Sequence, residues 1–151
     1  MAYNTIKLKK YSDVIEEYTA SGTILPGMLL LYSANDTVIA HNDDAPVNCF
    51  PMFALEDALQ GKDIDDTYAS GDPVQCWIPG RGDQVYAILE DGANVSVGTF
   101  LESNGAGYLQ AYSSGKVVAQ SLETLDLSGS SGEEESVGPL GFNKRIKVRI
   151  V

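Results

Sequence analysis

Histidine is the side chain that most often carries general acid–base catalysis, and this chain has one, His41. It stands at the end of an alternating strand pattern, followed by Asn42, Asp43 and Asp44. A serine hydrolase would have to use it, yet the chain has no GxSxG elbow or comparable nucleophile motif. We interpret His41 as a strand-end or turn residue and predict a protein that is not an enzyme. A small enzyme with an unrecognised site, dependent on His41 or an acidic pair, is the alternative.

Acidic pairs are abundant, which weakens each of them as a sign of catalysis or metal binding. The richest stretch, Asp63–Asp66, could touch a hard cation but lacks the glycine and final glutamate of a calcium loop. Arg81-Gly82-Asp83 spells the tripeptide that integrins read, and we interpret it as an ordinary turn. No phosphate-binding glycine loop joins a strand to a helix. The sequence therefore predicts neither a metal nor a cofactor.

Two cysteines, Cys49 and Cys76, have neither a CxxC nor a metal-ligand spacing. We predict free, buried thiols, because a cytosolic origin argues against a disulfide. The longest apolar run, Met28–Tyr32, is too short to cross a bilayer. Residues Met1–Lys10 lack the apolar stretch of a signal peptide. We therefore expect synthesis in the cytoplasm of the cell that makes it.

Charge is unevenly distributed along the chain, whose net charge is −11. All 21 acidic residues lie between Asp13 and Glu135. Seven of the ten basic residues sit at the two ends: Lys7, Lys9, Lys10, Lys144, Arg145, Lys147 and Arg149. A protein with such an acidic central region repels nucleic acid and anionic lipid, and we expect neither as a partner. Basic ends on an acidic body suggest instead that the ends are presented to a partner; simple solubility is the alternative explanation.

The elements that must position these residues are predicted to be strands. Thr5–Lys10 and Lys144–Val151 both alternate apolar and basic residues with a period of two, and we expect them in one sheet. Tyr11–Ser21 could be a short helix or an extended arm. Met28–Tyr32 and Thr37–His41 read as a hairpin.

Phe50–Gln60 is the other helix candidate, since its apolar residues form a stripe that ends at Gly61. Beyond it, short strands alternate with glycine-rich turns, as in a sandwich or small barrel. We predict strands at Pro73–Pro79, Gln84–Leu89, Asn94–Val97, Thr99–Glu102, Tyr108–Tyr112 and Lys116–Leu127. The predicted fold is all-β, a small β-barrel or sandwich with an extended N-terminal arm and one or two short helices. Residues 1–22 form the arm, and residues 23–151 form one domain with a flexible loop at 128–138.

The order and the amino-acid sequences of several segments resemble a family of tailed-bacteriophage capsid decoration (cement) proteins. These segments are GMLLLYSANDTVIAHN, PMFALEDALQGKDIDDTYASGDPVQCWIPGRGDQVYAIL, VGTFLESNGAGYLQAY, KVVAQSLETLDLS and the closing KRIKVRIV. The resemblance covers residues 27–151 and includes no single diagnostic motif. It implies a β-rich virion protein on the outer capsid surface, a homotrimer, with the major capsid protein as partner. It supplies no catalytic residues.

Our own expectation for the contact residues lies in the N-terminal segment. Lys7, Lys9 and Lys10 could meet acidic capsid groups, and an edge strand here could extend a capsid sheet. Tyr3, Ile6, Leu8 and Tyr11 could supply buried anchors, which completes the predicted set. We expect removal of residues 1–11 to leave a folded protein that no longer binds shells.

Two other binding functions remain open from sequence. A phage head-fibre or adhesion module could recognise host surface glycans, with Tyr108 and Tyr112 stacking on sugars. A structural subunit of the tail is the blander possibility, and copy number per virion distinguishes it from a cement protein.

Overall fold

The computed structural model describes residues 2–10, 13–43, 49–129 and 138–151, and it is all-β. Its helical content is two single 3₁₀ turns, Ala58–Gln60 and Gly138–Leu140. The strands are β1 Lys7–Lys9, β2 Val14–Ala20, β3 Leu30–Ala34, β4 Thr37–Ala40, β5 Phe53–Ala54, β6 Pro73–Ile78, β7 Gln84–Leu89, β8 Asn94–Val95, β9 Phe100–Ser103, β10 Leu109–Ala111, β11 Ala119–Ser121, β12 Leu125–Asp126 and β13 Lys144–Ile150. The all-β prediction is confirmed. No helix in these ranges is long and apolar enough to span a membrane.

The larger sheet closes into a small barrel. Its order is β1-β7-β10-β9-β11-β13, and β13 pairs with β7 as well as with β11. Strands β7, β10, β9, β11 and β13 therefore form a ring, and β1 is added beside β7. Alternate residues of β7 and β13 fill the interior because side chains in a strand point to opposite faces. These interior residues are Val85, Ala87, Leu89, Ile146, Val148 and Ile150.

The second sheet has the order β3-β4-β2-β6-β5. It also approaches closure, since a bridge joins Leu29, just before β3, to Phe53 of β5. A separate apolar core fills it, made of residues such as Ala20, Leu30, Val38, Val74 and Cys76. Closure of the barrel and this bridge in the second sheet reduce the open strand edges at which sheet proteins aggregate.

The two sheets are held together at close range around Gly27. A Cβ built there would lie 3.1 Å from the Tyr86 carbonyl oxygen and 3.2 Å from Cγ1 of Ile88, at a φ of +97°. Arg145 of β13 reaches across the same junction: its Nε and Nη2 donate to the Pro26 carbonyl at 3.1 and 2.9 Å. Nη1 of Arg145 also pairs with Asp65 at 2.9 Å. This buried guanidinium therefore ties the strand to two loops of the chain.

The helix predicted at Phe50–Gln60 is wrong, and the reason lies in its burial. Met52 and Ala54 pack in the core of the second sheet, whereas Phe53 and Leu55 pack in the core shared with the barrel. Successive residues thus face opposite cores, which is the period of a strand buried on both faces. What remains of the helix is the 3₁₀ turn Ala58–Gln60.

The N-terminal residues belong to the folded body, which corrects the interpretation of 1–22 as an extended arm. β1 pairs with β7, and β2 pairs along its length with β6. The two basic segments do share one sheet as expected, but β7 lies between β1 and β13. The hairpin of β3 and β4 is confirmed. Tyr11, most of the predicted loop 128–138 and most of Asn42–Pro46 lie outside the described residues.

Candidate partner-binding surface

Ile6, one of the expected anchors, is fully buried in the barrel core. Its backbone N–H donates to Oε2 of Glu56 at 3.1 Å, and its carbonyl accepts from the N–H of Tyr86 at 2.8 Å. The neighbouring Thr5 hydroxyl donates to the other oxygen of Glu56. Ile6 therefore stabilises the fold and offers nothing to a partner, while Leu8 is half-buried.

Two of the expected lysines form ion pairs with an acidic residue of this chain. Nζ of Lys7 lies 3.0 Å from Oδ1 of Asp13, and Lys10 binds the other oxygen of the same carboxylate. These hydrogen bonds, first from Lys10 and then from Lys7, lower the pKa of Asp13. The cluster is exposed, so it contributes little to stability. One carboxylate nevertheless offsets part of the positive charge that the sequence assigns to this segment.

A strip of positive charge is assembled from the two ends of the chain. Lys9 of β1 and Arg149 of β13 lie opposite Gln84 on its two sides, and Lys147 lies opposite Tyr86. Because β13 pairs with β7 in regular register, Lys147 and Arg149 project from the same face as Tyr86 and Gln84. Lys9 lies beside Gln84 after a β-bulge that follows Lys7. Lys9 and Arg149 are exposed and Lys147 is half-buried. We call Lys9, Lys147 and Arg149 the basic strip.

Tyr3 fixes the start of the chain beside this strip. Its ring packs edge-to-face on Tyr86, with centroids 5.3 Å apart and planes at 81°. Nζ of Lys147 lies 5.9 Å from the Tyr3 centroid, within cation–π range. Of the predicted site residues, the structure thus keeps Tyr3 and Lys9 at an accessible surface and adds Lys147 and Arg149. The basic, alternating pattern of the C-terminal segment was the available signal for these two.

A cavity of about 420 Å³ adjoins Tyr3 and continues along Tyr86 and Arg145 to the acidic loop. Within that loop, the backbone N–H groups of Asp63 and Asp65 donate to carboxylates of Asp66 and Asp63 at 2.8 and 2.9 Å. The acidic stretch is therefore organised by its own turn and by Arg145. No cluster of metal-ligating side chains occurs within the residues that the structure describes.

A second exposed feature is aromatic. Phe100 and Tyr112 are each 49% exposed. Phe100 begins β9 and Tyr112 directly follows β10, and the two are adjacent because the N–H of Tyr112 donates to the Phe100 carbonyl at 2.8 Å. Tyr108, the other expected sugar-stacking residue, packs instead against the core of the second sheet, and this burial raises its pKa. We call Phe100 and Tyr112 the aromatic pair.

His41 lies directly after β4, as the strand-end interpretation predicted, and it is buried. Its Nδ1 is 2.8 Å from Oγ of Ser103, which is also buried and accepts from the N–H of Gly105. Burial lowers the pKa of His41 despite the opposing effect of Asp43. The pair is closed to solvent and joins β4 to the end of β9, so we assign it a structural role.

The remaining candidate motifs have their reactive or acidic groups buried. The carboxylate of Asp83 is fully buried and accepts from the N–H of Gly80 at 2.8 Å, so the Arg-Gly-Asp tripeptide is a turn. Cys49 and Cys76 are free and buried, as predicted. Burial raises their pKa values to about 11 and about 12. Such thiols are inert rather than nucleophilic.

Neither a scan of protein-family models nor a search of curated proteins finds a match to this chain.

Proposed function

We propose that this protein is a capsid decoration protein of a tailed bacteriophage. It binds the outer surface of the head and bridges neighbouring capsid subunits. The observation that carries this proposal is the basic strip, which both ends of an otherwise acidic chain build on the two sides of β7. The resemblance of residues 27–151 to such proteins supports the same conclusion.

The charge distribution favours an acidic protein surface as the partner. A net charge of −11 repels nucleic acid and anionic membranes, whereas a local positive strip attracts and orients carboxylates. Tyr3, held by Tyr86 and Lys147, places an aromatic ring beside these charges. Aromatic and cationic side chains together are typical of the residues that dominate interface energies.

Bridging stabilises a shell because the protein binds the assembled state and not the separated subunits. Many copies placed by the symmetry of the shell need only modest affinity each. The proposal includes a homotrimer, in accord with the resemblance. A closed barrel suits a protein that must stay monodisperse before it finds a shell.

The test is co-sedimentation of the purified protein with expanded, undecorated capsids, from low to physiological salt. We expect saturable binding at a fixed ratio to the capsid protein, weakened by salt. Arg149→Glu should reduce occupancy strongly, whereas Lys62→Glu, which reverses an exposed cation that is not part of the strip, should not. Absence of association at every salt concentration would refute the proposal.

A second candidate function is glycan recognition by a head-fibre or adhesion module. The aromatic pair favours it, because exposed neighbouring rings can stack on sugar faces. A glycan array tests it directly, and binding that Tyr112→Ala abolishes would support this function over cementing.

A further inference from the structure

Strand β2 has an edge that the fold leaves open. On one side it pairs with β6 from Val14 to Thr19. On the other side β4 pairs with it only at Thr19 and Ala20. The first half of β2 therefore extends beyond its neighbour and presents an unpaired edge within the part of the chain that the structure describes.

The register identifies the backbone groups on that edge. The N–H of Ala20 donates to Asp72 on the β6 side, whereas the N–H of Thr19 donates to Asp36 on the β4 side. Because this direction alternates along a strand, Ile15 and Glu17 point their N–H and C=O groups to the open edge. Such a row of backbone donors and acceptors is a template for one more strand.

The side chains around this edge combine apolar and acidic character on both faces. Val14 and Ile15 are 46% and 39% exposed. Glu16 and Glu17 follow, one on each face, and both are exposed. The Tyr18 hydroxyl donates to Glu16, and Nε2 of Gln75 donates to Glu17 at 2.7 Å; both of these donors are uncharged. Each face of the edge thus offers one aliphatic side chain and one carboxylate.

We propose that the open edge of β2 takes an extended, basic segment of a partner protein as an additional strand. Backbone hydrogen bonds to Ile15 and Glu17 would supply the affinity. Lysine or arginine side chains opposite Glu16 and Glu17, with aliphatic residues between them, would set the register. A second copy is disfavoured at this edge, since it would place the same carboxylates against each other.

This inference deepens the proposed function, on which the source of the segment rests. If the protein decorates a capsid, the added strand comes from an extended part of a capsid subunit. The acidic edge would then bind cationic groups of the capsid, and the basic strip would bind anionic ones.

The direct test uses a short synthetic peptide of alternating lysine and valine as the probe. Amide hydrogen exchange of the whole protein is followed by NMR, with and without the peptide. We expect the amides of Ile15 and Glu17 to slow at least about tenfold, as when an exposed amide enters a ladder. A matched peptide with glutamate in place of lysine should leave them unchanged. If the lysine peptide leaves the exchange rates of the Ile15 and Glu17 amides unchanged, the proposal is overturned.

Two variants separate edge pairing from loss of structure. Ile15→Pro removes an outward N–H that β6 does not use, so the strand should remain folded. It should weaken peptide binding about tenfold, since a hydrogen bond is lost and the ring obstructs the added strand. Ile15→Ala keeps the N–H and should bind more tightly than Ile15→Pro. If Ile15→Pro does not fold, the double variant E16K/E17K tests the proposal instead, because it reverses the charge beside the edge. Binding of the lysine peptide to this variant as tightly as to the unmodified protein would overturn the proposal.

Undecorated capsids distinguish this inference from the proposed function. Equal capsid binding by a folded Ile15→Pro variant and the unmodified protein would overturn the edge proposal and leave cementing intact. Protection of the edge amides by the lysine peptide, together with no capsid binding, would support the edge and refute cementing.

Discussion

Replacement of Ile6 by alanine tests whether the N-terminal segment is part of the core or a free arm. The side chain is fully buried among barrel residues. Removing its outer carbons loses transfer free energy and leaves a cavity, at a cost of about 3 kcal/mol. For a chain of this length that corresponds to a fall in Tm of about 6–12 °C. The matched control is Ile15→Ala, which removes the same atoms from a side chain that is 39% exposed, and whose cost should stay under about 1 kcal/mol.

Thermal and urea denaturation, followed by circular dichroism, measure both variants. A large loss for Ile6→Ala with a small loss for Ile15→Ala would confirm the placement of β1 in the barrel. Equal, small losses would refute it and restore the free arm. The same reasoning changes the expectation for removal of residues 1–11: the truncated protein loses Ile6 and the β1–β7 pairing, so it should be destabilised. Its failure to bind shells would then not identify contact residues.

Three further predictions concern the interior. Gly27→Ala should destabilise the protein by at least about 1 kcal/mol more than Gly22→Ala in urea denaturation, because both have positive φ but a Cβ meets neighbours only at Gly27; equal losses would contradict this. Burial alone would raise the pKa of Glu102, but hydrogen bonds from Ser113, Gln110 and Gly115 outweigh it and lower the pKa. The stability that these hydrogen bonds contribute should be complete above the ordinary glutamate pKa of 4.5 and should be lost as pH falls through the lower pKa of the folded protein. Glu102→Gln should therefore reduce the fall of Tm with decreasing pH, and an unchanged dependence of Tm on pH would count against this reasoning. A thiol reagent should modify Cys49 and Cys76 only on unfolding, and rapid labelling of the native protein would contradict their burial.

The parts of the fold that could be predicted from sequence are those set by local pattern. Gln84–Leu89 has the predicted bounds because glycine-containing turns, Pro79–Gly82 and Glu90–Ala93, flank it on both sides. The hairpin of β3 and β4 was recognisable because polar turn residues separate two apolar runs. Lys116–Leu127, predicted as one strand, divides into Ala119–Ser121 and Leu125–Asp126, which pair with different strands. Pairing partners are distant in sequence, and the local pattern does not contain them.

The helix predicted for Phe50–Gln60 was wrong because the strand in this segment is buried on both faces. A strand between two cores needs apolar residues at every position, so its period of two disappears from the sequence. A continuous apolar run with glycine at its end then resembles a helix. The same two-core arrangement explains why Met52 and Phe53, although adjacent, belong to separate clusters.

The candidate binding surface was only partly predictable for a related reason. The sequence shows basic residues at both ends, but only the register places Lys9 and Arg149 on the two sides of Gln84. Alternation also cannot reveal that Asp13 engages Lys7 and Lys10, or that β4 stops short along β2. The basic strip and the acidic edge of β2 lie in different sheets and have opposite charge. A protein that bridges subunits needs two contacts that do not compete for the same group, and opposite charge on separate sheets meets that requirement. On our proposal, charge reversal at Arg149 and at Glu16/Glu17 should therefore weaken capsid binding independently, with additive free energies.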